Sequence, residues 1–358
     1  MIDTLESLNR LIDAIQKVPW VAMDTEADSL HAYPEKVCLI QITTPLGDEL
    51  VDPLAGLNLQ PLLEALKAHE LIFHAADYDL RLLWKHHRFL PSTIFDTMLA
   101  ARLLGERQFG LGHLVQKFLG ITLDKGSQKA DWARRPLTEK MIAYARNDTH
   151  FLKDLADVFG RELNAKGRLA WHQESCQRQI NEASELSEAD PEKIWRIKGS
   201  AFLDRPALAV LRELWRWREG QAIESNRPPF FILSHEIMVD LSRAAASGSP
   251  LDRLIPQRMH PRRRETLATA LRKGLATPSS SLPPILRHTS KRPSEQEFQR
   301  FRELEKIRDQ QASALGLDPT LIASKAVLGD LARDWDGESP KLMSWQRNLL
   351  QTLQLTNR

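Results

Sequence analysis

The chain has 358 residues, of which 42% are hydrophobic and 27% are charged. This length predicts two or three domains, and the hydrophobic share is sufficient for sizeable cores. The sequence contains no apolar run of the about 18 residues that a spanning helix needs, so we predict no membrane partner. We expect no secretory signal, and two cysteines, Cys38 and Cys176, are too few for a disulfide scaffold or a cysteine zinc site. These features predict a cytoplasmic protein.

Charge is distributed unevenly along the chain. The net charge is +2, but residues 1–190 contain 21 Lys and Arg against 28 Asp and Glu, whereas residues 191–358 contain 28 against 19. A basic second half is typical of a protein that binds a polyanion. Ordinary scatter in composition between two domains is the alternative.

Strand-like and helix-like segments alternate over the first hundred residues. Apolar or β-branched runs predict four strands, at residues 20–24, 37–43, 49–52 and 70–74. Apolar residues recur at helical spacing between 59 and 68, and a further helix is expected to begin at Asp79. The alternation predicts an α/β layer fold, in which helices dominate from about residue 110 onward.

Two breaks divide the second half of the chain. Residues 184–206 are polar and indicate a domain boundary, and residues 277–284 have the proline and serine density of a linker. Past the first break, the sequence predicts helices only.

The segments on either side of this linker are similar, since residues 227–243 can be laid on residues 317–333. Each has a proline, then an apolar pair, then a serine, Ser234 or Ser324, that we expect to cap a helix. We therefore predict a duplicated small helical domain. A chance match between two amphipathic hairpins is the alternative.

Asp24 and Glu26 directly follow the first predicted strand. The alternation of side chains along a strand places both carboxylates on one face. Two adjacent carboxylates repel each other unless a cation lies between them, and hard oxygen ligands suit magnesium or manganese. An Asp-x-Glu pair alone is a weak signal.

Further acidic residues follow in the chain. Asp79 begins a helix just after a predicted strand, and Asp96 precedes another helix, which it could simply cap. Tyr144 and Asp148 lie one helical turn apart, on a face that continues toward the core. Buried carboxylates need a metal ion or another cation, so these positions strengthen the metal hypothesis.

These residues resemble the three motifs of the DEDDy exonucleases, and most closely those of the ribonuclease D family. Asp24 and Glu26 match the first motif, Asp79 the second, and Tyr144 with Asp148 the third. Histidine-type relatives have a histidine five residues before the last aspartate, where this chain has Ala143, so the tyrosine subclass fits. The two helical repeats resemble HRDC domains, which are helical nucleic-acid-binding modules.

The resemblance implies a ribonuclease H-like α/β exonuclease domain, a mixed sheet with flanking helices, followed by two small all-α HRDC-like domains. The predicted parts are the exonuclease domain at 1–190, the first HRDC-like domain at 200–280, a Pro/Ser-rich linker at 281–294 and the second HRDC-like domain at 295–358.

The resemblance also implies a site with two divalent cations, Mg²⁺ or Mn²⁺. Asp24, Glu26 and Asp148 would hold the cation that activates water. Asp24 would bridge to the second cation, with Asp79 in support. Tyr144 would orient the attacking water. Some ribonuclease D sequences have a phenylalanine where this chain has Ala27, so base stacking is not supported at that position.

Two stretches are candidates for nucleic-acid contact. Lys129, Trp132, Arg134 and Arg135 combine cations with an aromatic ring just before the Tyr144 helix, which suits phosphate contacts and a stacked base. The alternative is a solvated loop with Trp132 as a packing anchor, and the resemblance favours that role for the tryptophan.

The second candidate stretch, residues 253–292, is the most basic part of the chain and includes Arg262, Arg263 and Arg264. Neutralisation of phosphates there would give salt-sensitive binding that does not depend on base sequence. A solvated helix face is the alternative.

The resemblance implies a metal-dependent 3′-5′ exoribonuclease that releases nucleoside 5′-monophosphates. Its expected partner is RNA, namely tRNA precursors or other structured RNA 3′ ends, and we expect a monomer. The sequence lacks a glycine-rich phosphate loop, so no nucleotide cofactor is expected. The alternatives are a DNA 3′-5′ exonuclease of the same fold and a catalytically inactive RNA-binding adaptor. The intact acidic set argues against the adaptor.

Overall fold

The structure, a computed structural model, describes residues 1–124, 126–185, 190–286 and 293–351. The described residues form two compact units. The first unit contains residues from 1–27, 37–187 and 290–358, and the second contains residues from 28–36 and 188–289. Residues 287–292 of the predicted linker and 352–358 of the predicted last domain lie outside the described residues. The predicted domain boundaries stay a prediction.

A five-stranded mixed sheet organises the first unit. Its strands are β1 (Val21–Ala27), β2 (Val37–Thr44), β3 (Gly47–Val51), β4 (Glu70–Phe73) and β5 (Thr93–Asp96), in the order β3-β2-β1-β4-β5. β1, β2 and β3 pair antiparallel, whereas β1, β4 and β5 pair parallel. The four predicted strands are present, and β5 is an addition. The predicted mixed sheet is confirmed.

Helices cover both faces of this sheet. They are α1 (Leu5–Ile15), α2 (Gln60–Leu66), α3 (Asp77–His87), α4 (Thr97–Leu104), α5 (Leu111–Leu119), α6 (Glu139–His150), α7 (Leu152–Ala165) and α8 (Leu169–Glu185). Side chains of β1 alternate between two cores, since Val21 and Met23 pack with α1, α2 and α3, and Ala22 packs with α4, α5 and α7. This alternation fixes the face of the sheet on which each side chain at the end of β1 lies.

The second predicted helical repeat belongs to the first unit. Its helices are α13 (Glu295–Leu315), α14 (Pro319–Ile322), α15 (Lys325–Arg333), α16 (Trp335–Glu338) and α17 (Ser344–Gln351). It shares a hydrophobic core with α4, α5 and α7, and Trp345 stacks on Trp171 of α8 with ring centroids 5.0 Å apart. The repeat is therefore packed as part of the first unit.

Arg168 joins this repeat to the rest of the first unit. Its guanidinium is buried and donates hydrogen bonds of 2.7 Å to the carbonyl oxygens of Leu103 and Leu315. The two backbone segments come close here: a Cβ at Gly105 would collide with the carbonyl oxygen of Gly316. A single charged side chain thus satisfies the ends of α4 and α13 together.

The second unit contains the first predicted helical repeat. Its helices are α9 (Arg205–Ser225), α10 (Pro229–Ile232), α11 (His235–Ala246) and α12 (Pro261–Leu275). Leucines of α9, α11 and α12 form its core. Residues 28–36 also belong to this unit. The Tyr33 hydroxyl donates to Glu219, and the Tyr33 amide donates to the Asn226 side chain at 3.3 Å.

The two repeats have the same local geometry, displaced by 90 residues. The long helices α9 and α13 each contain 21 residues and end in a left-handed residue, Asn226 or Gly316. A four-residue helix follows, then a serine that caps the next helix: Ser234 accepts from the amide of Ile237, and Ser324 from that of Val327. Both predicted serine caps are confirmed.

The part of the chain that the structure describes contains no helix long and apolar enough to span a bilayer.

Substitution of Arg168 tests the packing of the second repeat. Arg168→Ala leaves two buried carbonyl oxygens without their donor, so we expect the free energy of unfolding to fall by about 3 kcal/mol. The matched control is Arg178→Ala, because Arg178 also donates to this repeat, at the carbonyl oxygen of Lys341, but is largely exposed. Its expected cost is about 0.5 kcal/mol. Urea unfolding measures both, and equal losses would contradict the assigned role of Arg168.

Candidate active site

Three carboxylates from two elements meet at the end of β1. Asp24 and Glu26 lie on β1, and Asp148 lies on α6, which packs against β1 and β2. One oxygen of each side chain lies within 4.8 Å of the others. The structure thus brings together residues that are more than 120 positions apart in the chain.

Asp79 lies beside this group on α3 and is held by Thr25. The Thr25 amide donates to Oδ1 of Asp79 at 3.0 Å, and the Thr25 hydroxyl donates to the same oxygen. Asp79 is buried. Thr25, which lies between Asp24 and Glu26 of the first motif, therefore positions Asp79 of the second motif. We did not predict this role for Thr25, although a hydroxyl at that position is visible in the sequence.

Gln41 is a further positioning residue that sequence reasoning missed. It lies directly opposite Asp24 in the antiparallel pair of β1 and β2 and has no solvent exposure. Its side-chain amide donates to Oδ2 of Asp24 at 3.3 Å. The register of β2 against β1 places it there, and no local pattern in the sequence shows that register.

Asp96 orders the helix that carries Asp79. Its buried carboxylate accepts hydrogen bonds from the amides of Met98 and Leu99, so Asp96 caps α4, the alternative role given for it above. It also accepts from the amides of Ala75 and Ala76 at the start of α3. Ala75 has a positive φ of 62°, a conformation that an alanine adopts only when its surroundings hold it.

Burial and mutual repulsion raise the pKa of every carboxyl in the group. Burial and then the charges of Asp148 and Asp79 raise the pKa of Glu26 to about 9. Burial raises the pKa values of Asp79 and Asp148 to about 7, and that of Asp24 well above its ordinary value. A set of hard oxygen donors that are costly to ionise without a counter-charge fits a divalent cation.

Tyr144 lies one turn before Asp148 on α6, as predicted. Its hydroxyl shares a hydrogen bond with Asp148, and burial together with the neighbouring carboxylates raises its pKa above the ordinary value. The phenol is therefore protonated at neutral pH and can donate a hydrogen bond. The Tyr144 ring lies 6.1 Å from the Trp132 ring, centroid to centroid.

The acidic group opens into a cavity of about 870 Å³. Polar side chains line it, including Tyr78, Gln108, His113, Gln116, Gln128 and Asn147. His74 also lines the cavity, where burial lowers its pKa and a 2.9 Å hydrogen bond joins its Nδ1 to Thr97. The cavity therefore combines an acidic floor with several polar side chains on its walls.

The loop before α6 uses two of its predicted nucleic-acid residues for packing. Trp132 is 1% exposed and lies in a hydrophobic cluster with Leu39 and Met141. Arg135 makes a bidentate pair with Asp52 at 2.7 Å and donates to the carbonyl oxygens of Trp132 and Cys38. These contacts match the packing alternative for Trp132, and a nucleic-acid role for either residue stays a prediction.

The other predicted nucleic-acid residues are largely at the surface. Lys129 and Arg134 are exposed in the loop before α6. Arg262, Arg263 and Arg264 open α12 in the second unit. Arg263 donates to the side chain of Gln221, and Arg264 donates to carbonyl oxygens of the preceding loop. Contact of these residues with nucleic acid stays a prediction.

Comparisons with known proteins agree with this geometry. The family model described as 3′-5′ exonuclease matches residues 1–164, and that of the HRDC domain matches residues 207–247. Ribonuclease D of Sphingobium indicum is 34% identical over 247 residues, covering 68% of this chain and 63% of the relative. Ribonuclease D of Jannaschia sp. is 30% identical over 280 residues, covering 75% and 72%. The chain thus spans less than two thirds of the Sphingobium relative.

A solved structure agrees over the whole chain. The crystal structure of Escherichia coli RNase D, described as an exoribonuclease involved in structured RNA processing, has a TM-score of 0.78. It is 25% identical, and the match covers 99% of this chain and 98% of that one.

The mixed sheet, the acidic group at the end of its central strand and the matched family model define a 3′-5′ exonuclease domain. The chain belongs to the ribonuclease D family. The family and the fold predicted from the sequence are confirmed.

The acidic group makes stability depend on pH and on cations. The pKa values of Asp148, about 7, and Glu26, about 9, exceed the unfolded values of about 4. The stabilisation that comes from protonated carboxyls is complete below about pH 4 and is lost as pH rises through 7 to 9. We expect the unfolding temperature in chelator to fall from pH 5 to pH 9.

Mg²⁺ or Mn²⁺ should raise the unfolding temperature more at pH 8 than at pH 5, because cation binding displaces protons. Thermal melts across pH, with cation or chelator, measure both effects. The variant Glu26→Gln/Asp148→Asn should show a weaker pH dependence and a weaker response to cation. A response equal to that of the unaltered protein would contradict a cation site at these residues.

Proposed function

We propose that the chain is a 3′-5′ exoribonuclease that hydrolyses phosphodiester bonds with two divalent cations, Mg²⁺ or Mn²⁺. The observation that supports this most directly is the convergence of Asp24, Glu26 and Asp148, with one oxygen of each within 4.8 Å of the others. Bound together, two such cations about 3.5–4 Å apart supply a water nucleophile and neutralise charge during an in-line displacement.

In this proposal the carboxylates divide the task of holding the cations. Asp24, Glu26 and Asp148 would hold the first cation, and Asp24 would also contribute to the second, with Asp79 in support. The hydrogen bonds from Thr25 fix Oδ1 of Asp79, which suits a supporting role. Gln41 limits the rotation of Asp24.

Tyr144 orients the attacking water in this proposal. Its raised pKa keeps the phenol protonated, and its hydrogen bond to Asp148 directs the hydroxyl into the acidic group. The phenol has one O–H, which would turn from Asp148 to a water oxygen or a phosphate oxygen when a cation holds Asp148, without adding negative charge. Water attack that leaves the phosphate on the released nucleotide yields nucleoside 5′-monophosphates.

We further propose that the substrates are the 3′ ends of structured RNAs, with tRNA precursors as the main case. The support is the ribonuclease D relatives and the description of the Escherichia coli enzyme as active in structured RNA processing. Lys129 and Arg134, exposed beside α6, would contact backbone phosphates. A cytoplasmic location and a monomeric state stay predictions.

We also propose the domain plan predicted from the sequence, with an exonuclease domain at 1–190 and HRDC-like domains at 200–280 and 295–358. The HRDC match at 207–247 supports the first of these helical domains. The 90-residue displacement of helix ends and serine caps supports the second as its duplicate.

Asp24→Asn tests the cation proposal. We expect hydrolysis to fall at least about 10³-fold, because the variant removes a charged ligand from the reacting centre, while RNA binding persists. The assay follows release of labelled mononucleotide from 3′-labelled single-stranded RNA in Mg²⁺, Mn²⁺ or chelator, with DNA of the same sequence in parallel. Asp77→Asn is the control, since Asp77 is a half-exposed acid that pairs with Arg81 on the same helix as Asp79. Activity retained by Asp24→Asn, or a preference for DNA, would refute the proposal.

Tyr144→Phe tests the role of the phenol. The substitution keeps the ring against Trp132 but removes the donor, so kcat should fall by about 10²-fold with little change in KM or in unfolding temperature. Steady-state kinetics on the same RNA and a thermal melt measure these quantities. An unchanged kcat would show that the hydroxyl takes no part in the reaction.

A further inference from the structure

The two helical repeats are close structural equivalents, which allows a direct comparison of their surfaces. Their helix ends are displaced by a constant 90 residues from the start of the long helix to the capping serine. Even a buried arginine recurs, since Arg218 and Arg308 are both buried and each pairs with the acid that follows it, Glu219 or Asp309. A difference between equivalent positions therefore reflects different use of the same scaffold.

In the second repeat, part of the end that carries the short helix packs against the rest of the first unit, although Thr320 at this end is exposed. Arg168 binds the carbonyl oxygen of Leu315, the last residue of α13, and Leu321 of α14 packs against the shared hydrophobic core. Leu321 also lines a cavity with Met98 and Leu103 of α4. This end of the repeat is an internal interface of the first unit.

In the first repeat, the equivalent positions are exposed aromatic residues. Phe230 and Phe231 of α10, which correspond to Thr320 and Leu321, are 54% and 61% exposed. Their ring centroids lie 4.6 Å apart with the planes inclined by 38°. Two adjacent large aromatic side chains at a surface are typical of a binding site rather than of ordinary surface composition.

The two repeats also differ in net charge. Residues 191–286 contain 16 Lys and Arg against 9 Asp and Glu, whereas residues 293–351 contain 8 against 10. The basic character of the second half of the chain therefore belongs to the first repeat. A polyanion is attracted to the repeat that exposes the phenylalanine pair and not to its duplicate.

Part of this basic charge lies at the same end of the repeat as the phenylalanines. Arg263, near the start of α12, donates to Gln221 in the last turns of α9, and α10 begins eight residues after Gln221. Arg262 precedes it in the chain and is exposed, and Arg227 is exposed just before α10. Cations and exposed aromatic rings thus occur together at this end.

We propose that Phe230 and Phe231, with Arg227, Arg262 and Arg263, form a stacking platform for single-stranded RNA. Bases of the substrate stack on the rings, and the guanidinium groups contact the adjacent phosphates. Stacking of this kind tolerates any base sequence, as an exonuclease that advances along its substrate requires. The second repeat has Thr320 and Leu321 at the equivalent positions and shares a hydrophobic core with the first unit. The platform rests on the proposed function, because the RNA that it binds is the substrate of the proposed exoribonuclease.

The test measures RNA binding with hydrolysis suppressed by chelator. Fluorescence anisotropy of a labelled single-stranded oligoadenylate compares the unaltered full chain with Phe230→Ala/Phe231→Ala. Loss of two stacking faces should weaken binding at least about tenfold. Phe230→Leu/Phe231→Leu keeps apolar bulk without an aromatic face, so it should fold normally and still bind several times more weakly. Circular dichroism melts confirm that the variants are folded.

Two further variants sharpen the test. Phe202→Ala, at an 86% exposed phenylalanine of the same unit, is the matched control and should bind as the unaltered protein does. Arg262→Ala/Arg263→Ala should reduce the slope of log affinity against log salt by about 1.4, whereas the phenylalanine variants should leave that slope unchanged.

The outcomes distinguish the platform from the proposed function. If the phenylalanine variants bind RNA as tightly as the unaltered protein, the platform is refuted, even when hydrolysis in Mg²⁺ is normal. The same holds if they change only self-association in sedimentation, which would show a protein-binding surface. If the phenylalanine variants lose RNA binding while the unaltered protein fails to hydrolyse RNA in any cation, the platform stands and the proposed activity is wrong.

Discussion

The proximity of several carboxylates at the end of β1 is the constraint on which the rest of the first unit depends. Burial and repulsion raise the pKa of each of these acids, so their assembly costs free energy until a counter-charge is present. The surrounding residues hold the acids in place against this repulsion. Thr25 fixes Asp79, Gln41 restrains Asp24, and Asp96 ties the start of α3 to the start of α4.

The sequence was sufficient to predict which acidic residues the structure brings together, but not the residues that hold them in place. Asp24, Glu26, Asp79 and Asp148 stand at strand ends or on a helix face, where local periodicity and the family motifs identify them. Gln41 supports Asp24 only because β2 pairs with β1 in one register, and that register depends on packing across the sheet. The double capping by Asp96 likewise depends on the parallel pairing of β4 and β5, which brings distant helix starts together.

The helical repeats show a second limit of sequence reasoning. Their serine caps and shared pattern were predictable, because capping is local chemistry. The packing of the second repeat against α4, α5, α7 and α8 was not predictable, because it depends on contacts of Arg168 and Trp171, which lie far from this repeat in the chain. The charge difference between the repeats was present in the composition of the two predicted repeats.

The chain passes from the first unit into the second directly after β1, the strand that carries Asp24 and Glu26. Residues 28–36 leave β1 directly after Glu26 and Ala27, where a register shift interrupts the pairing with β2. This segment belongs to the second unit, where Tyr33 is bonded to Glu219 and Asn226 at the end of α9. The same helix leads into the proposed platform at α10. A fragment that ends near residue 190 therefore lacks Glu219 and Asn226. Residues 28–36, which follow Asp24 and Glu26 in the chain, would lose these hydrogen-bond partners of Tyr33.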